Sequence, residues 1–289
     1  MRIATRGSTL ALTQARWVAE RVGGAELVEA SSDGEPGDKS RFVRGVERVL
    51  LAGEAEIGVH SAKDLPGEMP AGLEIASVPP REDPADVWIG AGDSLEDAPE
   101  GARVGTASLR RRAQLLATRP DLRVEELHGN VDTRLRKLEE GELDAIVLAA
   151  AGLRRLGRES EIGFAIPVDR MVPAAGQGAL ALQVRAEDEA TTDAAAMIND
   201  LDAMRELTAE RAAVALLEAT CASPVGVHAQ VKGNGISVEA FVGLPDGGEW
   251  VRDRIEGSAE EPALAGAELV QRLLGAGARE ILDRAEEMA

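Results

Sequence analysis

The fold is decided from the start of the chain, in the stretch RIATRGSTLALTQARWVAERVGGAELVEA, residues 2–30. Arg2–Arg6 has the pattern of a short strand, and Glu26–Ala30 that of a second one. Between them, apolar residues recur at a period of about 3.6 on one helical face: Ala11, Ala15, Val18 and Val22. A strand, a helix and a strand in this order predict a parallel β-α-β unit with a right-handed crossover.

Alternating strand and helix patterns continue through the first half of the chain. Strand patterns occur at residues 57–60, 103–105, 123–127 and 145–149, and helical patterns around 42–50, 108–118 and 130–140. The Gly-, Asp- and Pro-rich residues 31–38 predict a loop. We therefore expect parallel sheets, in which ligands bind outside the carboxyl ends of the strands.

The pattern changes near residue 200, where a long helical stretch begins that ends around Leu217. Three strand patterns follow it, at residues 225–231, 236–242 and 250–255. Asn234-Gly235 predicts a hairpin turn between the first two of these strands. A further helix is expected to begin near Pro262, because proline suits the first helical position.

These patterns predict an α/β protein with two α/β lobes and a smaller C-terminal α+β domain. The first lobe is expected to comprise residues 1–79 and 178–199, the second residues 80–177, and the C-terminal domain residues 200–289. Pro79-Pro80 and residues 172–178 are the expected crossings between the lobes.

Composition and charge narrow the class of protein. The chain has 289 residues, 44% of them hydrophobic, which is enough for a large core. Its N-terminus has no apolar signal region and no long apolar run follows, so we expect a cytoplasmic protein without a membrane partner. The formal net charge of -19 argues against nucleic acid as a partner, because affinity for a polyphosphate comes from cationic surface.

The cations are nearly all arginine. Only Lys39, Lys63, Lys137 and Lys232 are lysine among 32 Lys and Arg residues. Together with the acidic excess, this bias is interpreted as adaptation to high internal salt, which screens repulsion between carboxylates. An ordinary acidic protein is the alternative, and retention of fold and activity after dialysis into low salt would support it.

Three turns between a strand and a helix combine a small capping side chain with arginine. They are Thr5-Arg6-Gly7-Ser8, Thr106-Ala107-Ser108-Leu109-Arg110-Arg111-Arg112 and Gly129-Asn130-Val131-Asp132-Thr133-Arg134. A cation in the first helical turn is unfavourable by about 0.3–1 kcal/mol. Free backbone N–H groups together with guanidinium groups bind carboxylates or phosphates, so the turns predict a polyanionic ligand of modest size. Pairing of these arginines with surface carboxylates is the alternative.

Two further residues are candidates for chemistry. Asp64 follows a strand beside Lys63, and a cation so close favours its ionised form, which can stabilise a developing positive charge or take part in proton transfer. Cys221 is the only cysteine, so it is a nucleophile, a covalent anchor or an inert buried residue. The three histidines show no metal-ligand spacing, and we expect no metal.

The chain resembles the porphobilinogen deaminase (hydroxymethylbilane synthase) family in ordered sequence blocks along almost its whole length. The blocks are Arg2-Ile3-Ala4-Thr5-Arg6, His60-Ser61-Ala62-Lys63-Asp64-Leu65-Pro66, Arg81-Glu82-Asp83-Pro84, Gly105-Thr106-Ala107-Ser108-Leu109-Arg110-Arg111, Gly129-Asn130, Thr133-Arg134-Leu135, residues 148–156, Gly176-Gln177-Gly178-Ala179 and Cys221. Several blocks in the same order are more specific than any single motif.

The resemblance implies a transferase with two lobes similar to periplasmic binding proteins and a third domain that carries a dipyrromethane cofactor. Cys221 matches the residue that bonds this cofactor by a thioether. Porphobilinogen would lose ammonia, and four units would be joined on the primer and released as hydroxymethylbilane by hydrolysis. Asp64 matches the catalytic carboxylate that stabilises positive charge on pyrrole nitrogens.

Further matching residues are assigned by the same resemblance. The acidic arms of the cofactor are expected on Ser8, Lys63, Ser108, Arg110, Arg111 and Arg134. The substrate is expected on Arg6 and Arg155, and we add His128, which stands where the family usually has arginine and could bind a carboxylate as imidazolium. The loop that keeps Lys39 is shortened and acidic relative to the family. A monomer is expected.

Two other functions stay open at this point. A non-catalytic two-lobe receptor for small carboxylates fits the lobes but gives Cys221 and the third domain no role. A hydrolase with a cysteine nucleophile needs a base within hydrogen-bond reach, and His228, the nearest histidine in the sequence, is not fixed there by any sequence feature.

Overall fold

The computed structural model describes residues 1–31, 41–220 and 222–288. Its strands are β1 (Arg2–Arg6), β2 (Glu26–Ala30), β3 (Ile57–Ser61), β4 (Leu73–Ser77), β5 (Asp86–Gly90), β6 (Arg103–Gly105), β7 (Arg123–Glu125), β8 (Ala145–Ala149), β9 (Phe164–Ile166), β10 (Leu180–Arg185), β11 (Val225–Lys232), β12 (Gly235–Gly243) and β13 (Trp250–Ser258). Its helices are α1 (Thr9–Arg21), α2 (Arg41–Leu51), α3 (Leu109–Thr118), α4 (Val131–Glu139), α5 (Ala150–Arg155), α6 (Glu189–Ala196), α7 (Leu201–Leu216), α8 (Pro262–Gly275) and α9 (Ala278–Glu287). Of the loop predicted at residues 31–38, only residue 31 is among the described residues.

The strands form three sheets. The first has the order β2-β1-β3-β10-β4, the second β7-β6-β8-β5-β9 and the third β11-β12-β13. Each of the three sheets has a buried apolar cluster of its own, and the third is covered by α7, α8 and α9. The predicted fold class, two α/β lobes with a smaller C-terminal α+β domain, is confirmed. The exact domain boundaries stay a prediction.

The expectation of purely parallel sheets is wrong. β1 pairs in parallel with β2 and β3, and β6 with β7 and β8. In contrast, β10 runs antiparallel to β3 and β4, and β5 antiparallel to β8 and β9. Both β5 and β10 are entered from the other lobe, through residues 78–85 and 167–179. Because the chain enters each sheet at the carboxyl ends of its parallel strands, β5 and β10 run antiparallel to those strands.

The third sheet corrects two details of the sequence analysis. Lys232 pairs with Gly235, so the hairpin turn is Gly233-Asn234 and the predicted turn at Asn234-Gly235 is wrong by one residue. Gly233 has φ 62°, a value that favours glycine. The sequence analysis also did not foresee α9, which begins after Gly277 (φ 95°) turns the chain.

The two crossings between lobes pack closely against the end of β3. A Cβ atom on Gly176 (φ 70°) would lie 2.8 Å from the Ala62 carbonyl carbon, and one on Gly178 (φ 88°) would lie 2.2 Å from the Glu82 carbonyl oxygen. Both positions therefore require glycine. This packing brings the residues that follow β3 against both crossings. Among the described residues, no helix is long and apolar enough to cross a membrane.

Candidate active site between the lobes

The three predicted turns begin helices as expected. Ser8 Oγ accepts a hydrogen bond from the backbone N–H of Ala11 at 3.3 Å, which caps α1. Ser108 caps α3 by accepting from the backbone N–H of Arg111 at 3.5 Å. Asn130 caps α4 in the same way. Each cap follows the carboxyl end of a strand, where a parallel sheet places its ligand sites.

Two adjoining cavities lie at the carboxyl ends of β1, β3 and β8, and neither is lined by Ser108, Arg110, Arg111 or Arg134. The larger, about 490 Å³, is lined by Arg6, Ser8, Leu10, Ala11, Gln14, Val43, Val59, His60, Ser61, Lys63 and Asp64. The smaller, about 300 Å³, is lined by Leu10, Gln14, Ser61, Lys63, Ala149, Ala151, Gly152, Arg155, Gly176, Gly178 and Ala179. Because Leu10, Gln14, Ser61 and Lys63 line both, the cavities form one cleft, which we call the interlobe cleft.

Asp64 and Lys63 lie side by side in this cleft. Asp64 ends a short 3-10 turn after β3, and its Oδ2 is 3.2 Å from Nη1 of Arg6. The side chain of Asp64 keeps 41% of its surface exposed, so its carboxylate can still contact a ligand. Lys63 Nζ donates to Gln177 Oε1 at 3.4 Å. Burial, and next the positive charge of Arg111, lower the pKa of Lys63 to about 8.

Arg110 and Arg111 lie against a buried carboxylate that the sequence analysis did not identify. Asp86 is fully buried and accepts from Arg110 Nη1 at 2.7 Å, Arg111 Nε at 2.9 Å and Gln177 Nε2 at 2.9 Å. Burial alone would raise the pKa of Asp86, but the two guanidinium groups outweigh burial and hold that pKa well below its usual value. Both arginines therefore pair with a carboxylate of the protein itself. The sequence analysis gave such pairing as the alternative, but with surface carboxylates, whereas Asp86 is buried. Their binding of an acidic ligand stays a prediction.

Arg134 and Arg155 differ from them, because neither forms a salt bridge in the described part of the chain. Arg134 Nε donates to the Gly129 carbonyl at 2.9 Å, and Arg155 Nη2 to the Gly178 carbonyl at 2.6 Å. Burial lowers the pKa of each guanidinium to about 10, and the neighbouring charge of Arg111 adds to the effect at Arg134. A partly buried cation without a carboxylate is destabilised, and an anionic ligand would relieve this.

His128 lies at the surface. Its Nε2 is 2.9 Å from Glu126 Oε1, and the two side chains are 68% and 73% exposed. It is not among the residues that line the interlobe cleft. Its role as a substrate ligand stays a prediction.

A second histidine does line the cleft, although the sequence analysis assigned it no role. His60 is 5% exposed, and its Nε2 is 3.0 Å from Oε1 of the fully buried Gln183. Burial lowers the pKa of His60 to about 4, so its ring is neutral at neutral pH. Its position directly after the apolar residues Ile57-Gly58-Val59 of β3 was the signal available in the sequence.

The cofactor anchor predicted at Cys221 lies outside the described residues. The neighbouring residues form the expected turn between α7 and β11, in which Thr220 N–H donates to Ser223 Oγ at 2.9 Å. His228, proposed as a base in the hydrolase alternative, has its Nδ1 3.3 Å from Oε1 of the fully buried Glu210. No group of His, Cys, Asp or Glu suited to a metal ion occurs within residues 1–31, 41–220 and 222–288.

Glu210 joins the C-terminal domain to both crossings. Its carboxylate accepts from Arg81 Nη1 at 2.7 Å, from the Gly176 N–H at 2.6 Å and from the Ala229 N–H at 2.8 Å. These bonds fix α7 relative to the interlobe cleft. The loop that contains Cys221 starts just after α7, so the fold holds both ends of that loop near the lobes.

A dipyrromethane carries acidic acetate and propionate arms, and the cleft can be tested for its fit to such a group. Lys63 and Arg155 line the cleft, Arg134 lies in the first turn of α4, and burial lowers the pKa of all three. None of them forms a salt bridge within the described residues. The exposed face of Asp64 adds one acceptor for N–H groups. Cations without a carboxylate partner can bind the acidic arms, and the carboxylate of Asp64 can accept from the pyrrole nitrogens, so the residues present fit this group.

The fold and the cleft define a two-lobed α/β protein with cationic side chains in a cleft between its lobes. Comparison of the sequence with family profiles gives a more specific result. Residues 1–193 match the profile "Porphobilinogen deaminase, dipyromethane cofactor binding domain", and residues 204–275 match "Porphobilinogen deaminase, C-terminal domain". The chain belongs to the porphobilinogen deaminase family, as the sequence blocks indicated.

Relatives match over their full length. A porphobilinogen deaminase of Syntrophus aciditrophicus is 43% identical over 303 residues, which cover 99% of each chain. One from Deinococcus deserti is 44% identical over 306 residues, covering 99% of this chain and 98% of the relative. The family places the chain among transferases with a dipyrromethane cofactor-binding domain and does not favour the receptor alternative.

Solved structures of lower similarity also match. A periplasmic solute-binding protein from Desulfovibrio salexigens has a TM-score of 0.40 at 13% identity, with 71% of this chain and 72% of that one covered. The periplasmic VFT2 domain of Bordetella pertussis BvgS has a TM-score of 0.40 at 18% identity, covering 68% and 86%. Scores at this level carry no argument about function.

Proposed function

We infer that this chain is a transferase that deaminates and joins four porphobilinogen units on a covalent dipyrromethane primer, and releases hydroxymethylbilane by hydrolysis. The observation that carries the proposal is a set of cations without salt bridges among the described residues, in a chain of net charge -19: Lys63 and Arg155 in the interlobe cleft, and Arg134 in the first turn of α4. Membership of the porphobilinogen deaminase family supports the choice of substrate.

In this proposal the cations bind the acidic arms of the pyrrole units. Arg134 and Arg155 each use one guanidinium nitrogen on a backbone carbonyl and keep other N–H donors for a carboxylate. Lys63 is a compact charge at the centre of the cleft. Ser8 and Ser108 stand at helix N-termini, where the partial positive charge favours an anion. Arg6, His128, Arg110 and Arg111 are assigned to the same task.

Asp64 is the catalytic group of the proposal. Its carboxylate is held by Arg6 at 3.2 Å and remains 41% exposed. A fixed negative charge stabilises the positive charge that develops on a pyrrole nitrogen of porphobilinogen as ammonia leaves. When bound, the dipyrromethane supplies the terminal pyrrole carbon to which a new unit is joined.

Cys221 is proposed as the covalent attachment point. It is the only thiol in the chain, and the family's first domain is described as binding this cofactor. The loop from Thr220 to Ser223 follows α7, which Glu210 ties to both interlobe crossings. A cofactor bonded to Cys221 would therefore be attached between the end of α7 and the start of β11.

The finer assignments belong to the same proposal. Residues 1–79 and 178–199, 80–177 and 200–289 are proposed as the three domains, in agreement with the separate sheets. We further propose a cytoplasmic monomer, adapted to high salt as the acidic excess and the arginine bias suggest.

An assay of porphobilinogen consumption tests the function. The purified chain should consume porphobilinogen and yield hydroxymethylbilane, which closes to a porphyrinogen and becomes coloured after oxidation. Asp64→Asn should be far slower, while Asp283→Asn, an exposed position on α9, should match the parent. A parent chain that consumes no porphobilinogen at low or high salt would overturn the proposal.

A further inference from the structure

A buried row of three polar side chains leads from helix α2 to the interlobe cleft. Glu47 lies on α2, and its Oε1 accepts from Gln183 Nε2 at 3.2 Å. Gln183 Oε1 is in turn 3.0 Å from Nε2 of His60. The exposed fractions of Glu47, Gln183 and His60 are 8%, 0% and 5%, so water has little access to any of these bonds.

The row fixes which ring nitrogen of His60 carries the proton. Gln183 turns its NH₂ group toward Glu47, whose Oε1 accepts from it. The Gln183 oxygen then faces His60, and the Nε2 of His60 must donate to it. The neutral ring therefore has its lone pair on Nδ1. The described residues give Nδ1 no hydrogen-bond partner.

His60 is also one of the residues that line the interlobe cleft. His60 lines the larger cavity together with Arg6, Ser8, Lys63 and Asp64. Arg6 and Lys63 are cationic and only donate, so they do not satisfy the N–H of an aromatic guest. Asp64 and His60 are acceptors of the cavity wall that a second side chain orients, as are Gln14 and Ser61, which bond to each other.

We propose that His60 Nδ1 is a fixed hydrogen-bond acceptor for a pyrrole N–H in the interlobe cleft, beside the acceptor that Asp64 provides. A pyrrole ring has one N–H donor and no acceptor, which is complementary to an unprotonated ring nitrogen. Two adjacent pyrroles need two acceptors, and a neutral acceptor provides the second one without adding a negative charge beside Asp64. The proposal rests on the proposed function. The pyrrole belongs either to porphobilinogen or to the covalent primer.

Nitrogen-15 NMR of the histidine-labelled full chain tests the tautomer directly. The chain has three histidines, so His128→Gln and His228→Gln assign the His60 signals by elimination. At pH 7 we expect His60 as the Nε2–H tautomer with an unprotonated Nδ1. Glu47→Gln should raise the share of the Nδ1–H tautomer, because a glutamine at 47 can donate as well as accept. An Nδ1–H ring or an imidazolium in the parent would overturn the proposal.

The same Nδ1 signal separates the two sources of the pyrrole. A difference between the parent and Cys221→Ala, both without substrate, reports the primer, and a shift on adding porphobilinogen to Cys221→Ala reports the substrate. A shift toward a hydrogen-bonded nitrogen in at least one of the two comparisons is expected. If neither comparison moves the signal, the proposal fails.

Turnover provides a second, independent arm. His60→Gln places an amide where Nε2 was and removes Nδ1, so kcat/KM for porphobilinogen should fall roughly 3- to 10-fold, the range of one neutral hydrogen bond. Glu47→Gln should lower kcat/KM by a smaller factor, in proportion to the share of His60 that shifts to the Nδ1–H tautomer. Parent-like kcat/KM in both variants would contradict the role of His60, whereas an inactive parent would contradict the proposed function and leave the NMR result to decide the tautomer.

Discussion

Nη1 of Arg6 lies 3.2 Å from Oδ2 of Asp64, although the two residues are 58 positions apart in the chain. Arg6 ends β1 and Asp64 follows β3, and these strands are parallel neighbours in the first sheet. The pair therefore stands at the carboxyl edge of the sheet, inside the interlobe cleft. Arg6 orients the carboxylate, and the exposed part of Asp64 faces the cleft.

Asp64→Asn is expected to lower kcat by about 100-fold or more, because the amide keeps the shape but loses the negative charge that stabilises the developing cation. Measured kcat with porphobilinogen checks this. The bound cofactor should persist in the variant, since the cations that hold the acidic arms are unchanged. Turnover within a few-fold of the parent would remove Asp64 from the mechanism.

Arg134→Leu is expected to raise KM for porphobilinogen or to lower cofactor occupancy, roughly 10- to 100-fold in affinity, as for a lost charged hydrogen bond. Arg136→Leu, on the same helix, is the matched control, because Arg136 pairs with Glu140 at 2.9 Å on the surface. Steady-state kinetics and intact mass together provide the readout. Equal effects at the two positions would show that Arg134 has no special contact with a ligand.

In the chain without its cofactor, Cys221→Ala, affinity for the acidic arms of a pyrrole should weaken above pH 8. Burial and the charge of Arg111 lower the pKa of Lys63 to about 8, so this chain holds the ammonium below that pH and loses it as pH rises. The dissociation constant of porphobilinogen from Cys221→Ala should therefore rise between pH 8 and 9.5. Adding Lys63→Arg keeps the charge in this range, so the dissociation constant of the double variant should stay flat. A dissociation constant of Cys221→Ala that does not change with pH over this interval would contradict the assignment.

Asp86→Asn should destabilise the fold by about 3–5 kcal/mol at pH 7, because it leaves the buried guanidinium groups of Arg110 and Arg111 without their anion. The pKa of Asp86 is lower in the folded chain than in the unfolded chain. Ionised Asp86 therefore stabilises the fold at any pH above the ordinary pKa of an aspartate, and this stabilisation is lost as the pH falls below that value. The difference between parent and variant should hence shrink below about pH 4.

Urea unfolding at several pH values measures the effect of Asp86→Asn. Glu140→Gln serves as control, since it removes a surface ion pair with Arg136 and should cost less than about 1 kcal/mol. A loss at Asp86 no greater than that of the control would mean that the buried pairs do not stabilise the lobe.

The local features of the site were predictable from the sequence. Ser8, Ser108 and Asn130 cap their helices as expected, because an N-cap depends on residues only a few positions apart. The order of strands and helices followed from periodicity for the same reason. These features place the turns, but not their partners across the cleft.

The remaining features depend on contacts between distant parts of the chain. Asp86 meets Gln177 from 91 positions away, and His60 meets Gln183 from 123. The periodicity of the sequence does not encode such pairs. Asp86 begins the buried strand β5, however, and a buried carboxylate requires a partner. The antiparallel directions of β5 and β10 were missed because they depend on how the lobes are joined.

The central claim is that Cys221 holds a dipyrrole whose acidic arms lie among the cations of the interlobe cleft. Intact mass spectrometry of the chain, produced in a host that makes porphobilinogen, tests it most directly. The parent should exceed its sequence mass by two linked pyrrole units, and Cys221→Ala should show no excess. A parent chain that weighs only what its sequence predicts would contradict the account.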